Sequence, residues 1–325
     1  MKKLKVGVIG VGHLGEYHLQ KYLNIPSVEL VGIVDTDRVR AEKVAYDYNT
    51  KIYEDHIHIL NDAEAVSLAV PTEVHYDLAK DILARGVHLL VEKPITYSIE
   101  PAEILIRMAE EKNLILQVGL VERFNPAVKE MERFLTDPVF VESHRMNQFT
   151  TRSIDVDVVL DLMIHDLDIF LNIIPYDVKE IHAVGMSVVT DKTDIANARL
   201  IFENGAVANL TASRISNKAL RKIRVFQPDS YLSVDCLKRN LNITRLKKDI
   251  EHAPYIPGLI SYKKDFPGSD PLADEILSFV EAINDGKAPV VSGQDGIKVL
   301  KIALSIMEQI EAKSRDFSPF LSSRI

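Results

Sequence analysis

Cysteine is almost absent from this chain, since its 325 residues include a single one, Cys236. One thiol excludes an internal disulfide and a metal cluster built on cysteine ligands. Long hydrophobic runs are missing too, because no stretch approaches the roughly 20 apolar residues that a membrane-spanning helix needs. The opening segment MKKLKVGVIGVG passes directly into a strand pattern, unlike a secretory signal peptide. We therefore expect a cytoplasmic protein without a membrane partner.

Positive charge is in deficit, with 39 Lys and Arg against 47 Asp and Glu and a net charge of -8. Proteins that bind nucleic acid depend on clustered Lys and Arg that neutralise phosphates, so no nucleic-acid partner is expected. The chain is 46% hydrophobic and 26% charged, which is ordinary for a globular protein. Its length allows two domains with separate cores.

Apolar runs alternate with amphipathic segments through residues 1–120. The runs LKVGVIG, ELVGIVD, AVSLAV, VHLLVEKP and LILQVG have the composition of buried strands, and the segments between them have helical patterns. This alternation is typical of an α/β domain in which helices cover both faces of a parallel sheet. We expect the first domain to end near residue 120.

Residues 121–325 follow a different pattern. Segments such as VKEIHAVGMSVV, NARLIFENGAVANLTAS and SYLSVDCL alternate polar and apolar residues and contain turn signals, including Asn204-Gly205. The pattern predicts an α+β domain with a large, mainly antiparallel sheet. One face of such a sheet covers the core, and the other is solvated or lies in a subunit interface. We expect a homodimer or homotetramer assembled through this sheet.

A G-x-G-x-x-G motif joins the first strand to the first helix. Its first glycine permits a tight turn, the second lets a pyrophosphate approach the backbone, and the third allows close helix packing. Asp35 ends the second strand, where a carboxylate binds the adenosine ribose and repels a 2′-phosphate. The motif therefore predicts an NAD site, with NADP less favoured, although Arg38 and Arg40 weaken this preference. The motif residues are Gly10, Gly12, His13, Leu14 and Gly15.

Glu92-Lys93-Pro94 follows the fourth strand, at the sheet edge where open parallel sheets bind their ligands. Pro94 restricts the backbone of Lys93 and so directs its ammonium group. A lysine beside a glutamate is otherwise most often part of a surface ion pair. Its place next to a predicted cofactor site favours a functional role for Lys93.

The segment VLDLMIHDLDIFLN, residues 159–172, has the pattern of a buried helix. At about 100° per residue, four polar side chains fall on one narrow stripe of this helix. Such a stripe needs a partner, which is a protein group, a metal or a substrate. A single histidine among carboxylates, with no second histidine motif at metal spacing, favours no metal site. The four residues are Asp161, His165, Asp168 and Asn172.

Together these motifs resemble those of the Gfo/Idh/MocA oxidoreductase family, and the resemblance spans essentially the whole chain. It implies an NAD(P)-dependent dehydrogenase of sugars, polyols or nucleotide sugars, with an N-terminal Rossmann domain and a C-terminal sheet domain that mediates oligomerisation. It also implies cofactor contacts beyond the glycine motif and Asp35. The resemblance is carried by the glycine motif, Ala69-Val70-Pro71-Thr72 with His75, Glu92-Lys93-Pro94, Asp161 and His165. The further cofactor contacts that it implies are Pro71, Thr72, His75, Glu92 and Lys93.

The same resemblance implies that Lys93, Asp161 and His165 are catalytic. In this interpretation His165 is the general base, Lys93 stabilises the reacting oxygen and Asp161 binds a neighbouring hydroxyl. We expect structural roles for Asp168 and Asn172, because polar groups on a buried helix need internal hydrogen bonds.

The segment QVGLVERFNP and the segment DLMIHDLD resemble the part of the family that oxidises carbon 3 of UDP-N-acetylglucosamine toward the 2,3-diamino sugars of lipid A. Residues 151–157 depart from the family, which often has glycines there. The alternatives are a free polyol or aldose dehydrogenase, such as an inositol dehydrogenase, and a non-catalytic dinucleotide sensor. Expected substrate contacts are Lys93, Arg123, Asn125, Arg152, Asp161 and His165, with Arg214 a further candidate for a diphosphate.

Overall fold

The structure, a computed structural model, describes residues 2–150, 156–246 and 259–321, with side chains described except at 246 and 314–321. The chain forms two compact units, of which the first comprises Met1–Val121 and Asp270–Leu300. The second comprises Glu122–Ser269 and Lys301–Ile325. The expected second domain of residues 121–325 differs from this grouping, because Asp270–Leu300 lies in the first unit.

The first unit contains a five-stranded parallel sheet with strand order β2-β1-β3-β4-β5. This confirms the predicted Rossmann-type α/β fold. The strands are β1 (Leu4–Ile9), β2 (Val28–Val34), β3 (Ala65–Leu68), β4 (His88–Glu92) and β5 (Leu116–Gly119). The helices are α1 (His13–Leu23), α2 (Arg38–Tyr48), α3 (His56–Ile59), α4 (His75–Ala84), α5 (Ile99–Glu111), α8 (Pro271–Asp285) and the first part of α9 (Gly293–Leu321).

Helix α8 supplies part of the core of the first unit. It begins with a capping bond from the Ala273 N–H to the Asp270 side chain and ends at Gly286, whose φ of 64° is left-handed. Ile276 and Phe279 are fully buried in the same cluster as Leu19 of α1. These apolar contacts explain why a segment so late in the chain belongs to the first unit.

The second unit contains an eight-stranded sheet with strand order β13-β12-β11-β10-β6-β9-β8-β7. Its neighbours are antiparallel except for the parallel pair β6 and β9, which confirms the predicted mainly antiparallel sheet. The strands are β6 (Phe140–Met146), β7 (Val178–Met186), β8 (Ile195–Phe202), β9 (Val207–Ser213), β10 (Leu220–Gln227), β11 (Ser230–Asp235), β12 (Asn240–Leu246) and β13 (Leu259–Asp265).

Helical segments pack on one face of this sheet. They are α6 (Pro126–Glu132), a π-helical turn (Val159–Met163) and α7 (Ile164–Ile173). Strand β8 alternates exposed and buried residues along most of its length, as expected for a sheet with one covered face. Among the described residues, no helix combines the length and apolar character that crossing a membrane requires.

Candidate active site

The turn between β1 and α1 brings backbone atoms close together at two of its three glycines. Gly10 has a φ of 83°, and a Cβ added there would lie 2.4 Å from the carbonyl oxygen of Ala69. A Cβ at Gly15 would lie 1.8 Å from the carbonyl oxygen of Gly10. Among the described residues, a Cβ added at Gly12 would meet only Arg40 Nη1, at 3.9 Å. Gly10 and Gly15 are thus required by the path of the chain, whereas Gly12 leaves open space beside it.

That open space lies at the N-terminus of α1, where no side chain caps the helix. A helix start of this kind offers backbone N–H groups and a partial positive charge to a phosphate. His13 and Leu14 are exposed at the same place, and the His13 ring contacts the Tyr17 ring edge-on at 4.7 Å. The geometry therefore fits the pyrophosphate of a dinucleotide.

Asp35 lies beside this turn and is bound to it. Its carboxylate accepts hydrogen bonds from the backbone N–H groups of Val11 and Asp37, each at 2.8 Å. Arg40 Nη1 lies 3.3 Å from Asp35 Oδ2, and Arg40 Nη2 lies 3.1 Å from Asp37 Oδ2. Arg38 instead pairs with Glu42 on the surface. A ribose at this position would therefore meet a carboxylate whose charge is partly balanced by Arg40.

His75 joins the loops that follow β3 and β4. Its ring nitrogens lie 2.9 Å from the carbonyl oxygens of Val70 and Pro94. Burial lowers the pKa of His75, although the two carbonyl contacts act in the opposite direction. Pro71 and Thr72 lie in the first of the two loops, at a short 3-10 turn. His75 thus holds Pro71 and Thr72 next to the loop that contains Lys93.

Lys93 is partly buried at the end of β4, and the Lys93-Pro94 peptide bond is cis. Its backbone N–H donates to the Glu92 carboxylate at 3.3 Å. Glu92 is 8% exposed, and its other oxygen lies 3.0 Å from His18 Nε2. The lysine backbone is therefore attached to a buried acidic group in its own unit.

In the second unit, the segment predicted as one regular helix starts with a π-helical turn over Val159–Met163. The Asp161 N–H donates to the carbonyl oxygen of Asp157 at 2.9 Å within this turn. Wide turns of this kind are frequent at functional sites. Because they hold more residues per turn than an α-helix, the angle between Asp161 and His165 differs from the one that a regular helix predicts.

Asp161 borders a cavity of about 260 Å³ in the second unit. The walls are mostly polar and come from the turn and from the ends of β6 and β9. Arg214 at this site is buried, donates to the carbonyl oxygen of Val156 and lies 3.9 Å from the Asp194 carboxylate. The residues that line the cavity are Asn147, Gln148, Thr150, Asp161, Leu162 and Arg214.

Asp168 and Asn172 bind Arg123 inside the second unit. Arg123 Nε donates to Asp168 Oδ2 at 3.0 Å, and Arg123 Nη1 donates to Asn172 Oδ1 at 2.8 Å. Asn172 Nδ2 in turn donates to Glu132 at 3.0 Å. These bonds agree with the structural roles expected for Asp168 and Asn172. They also place Arg123, expected at the substrate, in an internal ion pair.

Asn125 acts as the N-cap of α6, because its side-chain oxygen accepts the Ala127 N–H at 3.1 Å. Its amide nitrogen donates to Glu122 and to the carbonyl oxygen of Cys236. The contacts found for Asn125 are therefore structural ones, and its substrate contact stays a prediction. Arg152 lies outside the described residues.

Sequence reasoning missed strand β6 and the residues that it positions. Arg145 points inward from this strand and is 2% exposed, with Glu122 at 2.8 Å and Asp166 at 2.6 Å. A strand is recognised by alternating polar and apolar residues, and an arginine at a position where an apolar residue is expected disrupts this pattern. Asn147 and Gln148, which follow β6 and line the cavity of Asp161, were missed for the same reason.

An open helix N-terminus after β1, a carboxylate after β2 and a lysine after β4 define the first unit as the dinucleotide-binding part of an oxidoreductase. Residues 4–120 match the GFO_IDH_MocA family, described as an oxidoreductase family with an NAD-binding Rossmann fold. Residues 130–228 match the C-terminal domain of that family. The chain therefore belongs to the Gfo/Idh/MocA oxidoreductases.

Individual relatives differ in how similar they are. The chain is 38% identical to UDP-N-acetylglucosamine 3-dehydrogenase of Acidithiobacillus ferrooxidans, over 96% of this chain and 99% of that one. A solved structure of that enzyme has a TM-score of 0.90 with the same coverage. The scyllo-inositol 2-dehydrogenase (NAD(+)) of Bacillus subtilis is 25% identical, over 93% of each chain.

A structure of scyllo-inositol dehydrogenase from Lactobacillus casei with NAD(H) and scyllo-inositol bound has a TM-score of 0.80. It covers 96% of this chain and 98% of that one, at 19% identity. At such low identity the likeness shows a shared fold alone.

Proposed function

We propose that the protein is an NAD-dependent dehydrogenase that oxidises carbon 3 of UDP-N-acetylglucosamine to the 3-keto sugar. The observation that carries this proposal is the 38% identity to UDP-N-acetylglucosamine 3-dehydrogenase across 96% of the chain. The inositol dehydrogenase of Bacillus subtilis matches a similar share of the chain at only 25%. A nucleotide sugar is therefore favoured over a free polyol. In this proposal the protein works in the cytoplasm.

For the cofactor we propose NAD, held by the open start of α1 and by Asp35. Gly12 leaves room for the pyrophosphate, and the Asp35 carboxylate accepts hydrogen bonds from the ribose hydroxyls. Arg40, close to Asp35, makes discrimination against NADP incomplete. The remaining proposed contacts are Gly10, His13, Leu14, Gly15, Pro71, Thr72, His75, Glu92 and Lys93.

For catalysis we propose separate roles for three side chains. His165 accepts the proton of the carbon 3 hydroxyl as a general base. The Lys93 ammonium donates a hydrogen bond to that oxygen and stabilises its developing negative charge. Asp161 accepts a hydrogen bond from a neighbouring sugar hydroxyl, which fits its position at a polar cavity. NAD, when bound, supplies the hydride acceptor.

For assembly we propose a homodimer or homotetramer formed through the open face of the second unit's sheet. This face exposes Leu220 and Phe226 by more than a third of their surface. The Phe226 ring contacts those of Phe140 at 5.3 Å and Tyr231 at 4.9 Å, which makes an aromatic patch. Exposed apolar patches of this kind mark protein interfaces. Light scattering of a Phe226→Glu variant tests this, and an unchanged mass would contradict it.

The experiment that tests the proposed reaction follows the near-ultraviolet absorbance of reduced nicotinamide. The protein receives NAD with UDP-N-acetylglucosamine, free N-acetylglucosamine or myo-inositol in separate assays. A trapping reagent for ketones removes the product and so overcomes an unfavourable equilibrium. A rise with the nucleotide sugar, together with loss of two hydrogens from its mass, is expected. A rise with myo-inositol alone would overturn the substrate assignment.

A further inference from the structure

A series of buried polar groups runs through the first unit from α1 to the end of β4. Tyr22 Oη lies 2.7 Å from Ser67 Oγ, and Ser67 Oγ lies 3.1 Å from His18 Nδ1. His18 Nε2 lies 3.0 Å from Glu92 Oε1. The second carboxylate oxygen, Glu92 Oε2, accepts the backbone N–H of Lys93 at 3.3 Å. The series therefore ends at the residue that the proposed function places at the reacting oxygen.

The Glu92 carboxylate is tightly packed by its neighbours. A Cβ added to Gly119 on the next strand would lie 3.0 Å from Glu92 Oε2, so a larger residue there would press on the carboxylate. Glu275 of α8 is fully buried nearby. One imidazole nitrogen of His18 and one carboxylate oxygen each of Glu92 and Glu275 all lie within 4.8 Å of one another. Two acidic side chains thus lie close to one imidazole and to each other.

Burying such charges costs several kcal/mol per ion, and replacement by apolar residues is often neutral or stabilising. A buried ion cluster is therefore weak evidence for a role in stability alone. Proteins are expected to retain destabilising buried charges mainly at functional sites. This cluster is directly attached to Lys93, which is the proposed contact of the reacting oxygen.

The charge on Glu92 depends on its neighbours. The titratable groups near it are His18 of α1, His75 of α4, Glu275 of α8 and the adjacent Lys93, while Tyr22 of α1 interacts with Glu275. Burial alone would raise the pKa of Glu92. The bond and charge of His18, together with the charge of Lys93, outweigh burial and lower it. Glu92 is therefore ionised at neutral pH.

We propose that His18 and Glu92 are positioning residues for Lys93: His18 holds the Glu92 carboxylate in place, and that carboxylate in turn holds the Lys93 backbone. The importance of this for turnover rests on the proposed function, in which Lys93 contacts the reacting oxygen. The attachment of Lys93 to Glu92 does not rest on it. The test therefore needs one measurement of turnover and one that is independent of it.

Glu92→Gln is the principal variant, because it keeps the size of the side chain and removes its charge. Turnover at optimum pH is expected to fall by about tenfold, since small displacements of a catalytic group are costly. KM for NAD should rise by a smaller factor than kcat falls, because Glu92 is one of many proposed cofactor contacts. The neutral amide binds the Lys93 N–H less strongly than the carboxylate does, so the Lys93 residue is held less firmly. A fall in wild-type kcat at acid pH that comes from protonation of Glu92 should be absent in Glu92→Gln, because an amide takes up no proton.

The second measurement labels lysines with a trace of acetic anhydride at a series of pH values and quantifies each by mass spectrometry. In Glu92→Gln the labelling of Lys93 should rise above the wild-type level because the residue is held less firmly, while that of Lys3, exposed near the N-terminus, stays unchanged. This readout needs no substrate. If the wild-type protein turns over no sugar, the proposed function fails and the labelling still decides the inference.

His18 variants test the second half of the proposal. In His18→Ala the buried carboxylate loses its partner, so the pKa of Glu92 rises and activity is lost as the pH falls. His18→Gln keeps an N–H donor for Glu92 and should recover most of the activity. If His18→Ala does not fold, Glu92→Gln and His18→Gln decide the question.

Tyr22→Phe is the matched control, because it removes the hydroxyl at the far end of the series and leaves both contacts of Glu92 in place. It should lower the stability and keep the wild-type pH profile and labelling. A purely structural cluster would make Glu92→Gln behave like Tyr22→Phe in both measurements. That result would overturn the proposal.

Discussion

Arg123 and Asp168 form a bidentate ion pair inside the second unit. Arg123 Nε donates to Asp168 Oδ2 at 3.0 Å, and Nη2 donates to Oδ1. Their side chains are only 9% and 1% exposed. The pair joins the segment before α6 to α7, and its two residues lie 45 positions apart in the chain. Planar guanidinium and carboxylate groups fit each other closely in this geometry.

Replacing Arg123 by Met should lower the free energy of unfolding by about 3–5 kcal/mol, because Asp168 would be left as an uncompensated buried charge. Urea denaturation measures this. Arg133→Met is the control, since Arg133 is 75% exposed and pairs with Glu130 at 3.4 Å. Its effect should stay within about 1 kcal/mol. Loss of turnover at unchanged stability in Arg123→Met would instead support the substrate contact expected from the sequence.

Replacing His165 by Asn should lower kcat by about 10²–10⁴-fold, because the general base is removed. Lys93→Met should have a comparable effect, because the stabilising ammonium is lost. NAD binding, followed by fluorescence, should persist in both variants. His182→Asn is a control, since this histidine is exposed on β7. Wild-type turnover in His165→Asn would exclude the proposed base.

Replacing Asp35 by Asn should reduce the preference for NAD over NADP by about tenfold, since repulsion of the 2′-phosphate is lost. Arg40→Ala should act in the opposite direction, because it removes the cation 3.3 Å from Asp35. The ratio of kcat/KM for the two cofactors measures both effects. Equal ratios in the two variants and the wild type would place the ribose elsewhere.

Asp194 should make the stability of the second unit dependent on pH. Burial opposes its ionisation, but N–H groups of Val188, Val189 and Thr190 outweigh burial and lower its pKa to about 2. Because the folded pKa is depressed, the stabilisation is present above the unfolded value near 4 and is lost as pH falls toward 2. It amounts to about 2 kcal/mol.

Asp194→Asn tests this, because it cannot ionise. Urea denaturation at about pH 6 and about pH 3 should show a smaller difference for Asp194→Asn than for the wild type. Asp47→Asn, at an exposed position of α2, serves as the control. The same pH dependence in all three proteins would show that Asp194 contributes nothing to it.

The parallel sheet could be predicted because its signals are local. Strands buried on both faces have continuous apolar sequences, and a glycine-rich turn marks the start of the first helix that connects two parallel strands. Helix α5, Ile99–Glu111, lies between two of these apolar sequences, as the helical pattern of that segment indicates. The position of Asp270–Leu300 was not predictable in this way, because it depends on apolar contacts of α8 with residues far away in the chain.

In the second unit, two strands escaped prediction. Strand β6 carries Arg145 at an inward position, which is tolerable only because Glu122 and Asp166 compensate its charge. Strand β13 is exposed along almost its whole length and lies at the sheet edge, so it has little apolar alternation. In both cases the contact that fixes the strand, an ion pair for β6 and pairing with β12 for β13, comes from another part of the chain.

By itself the sequence determined the glycine turn, the acidic residue after β2 and the stripe of polar residues from Asp161 to Asn172, because spacing along one element is a local property. Only the tertiary structure decided how those polar groups are used. It separates Asp161, which borders a cavity, from Asp168 and Asn172, which bind Arg123. Which partner a buried polar group meets depends on distant parts of the chain, and that is set by packing.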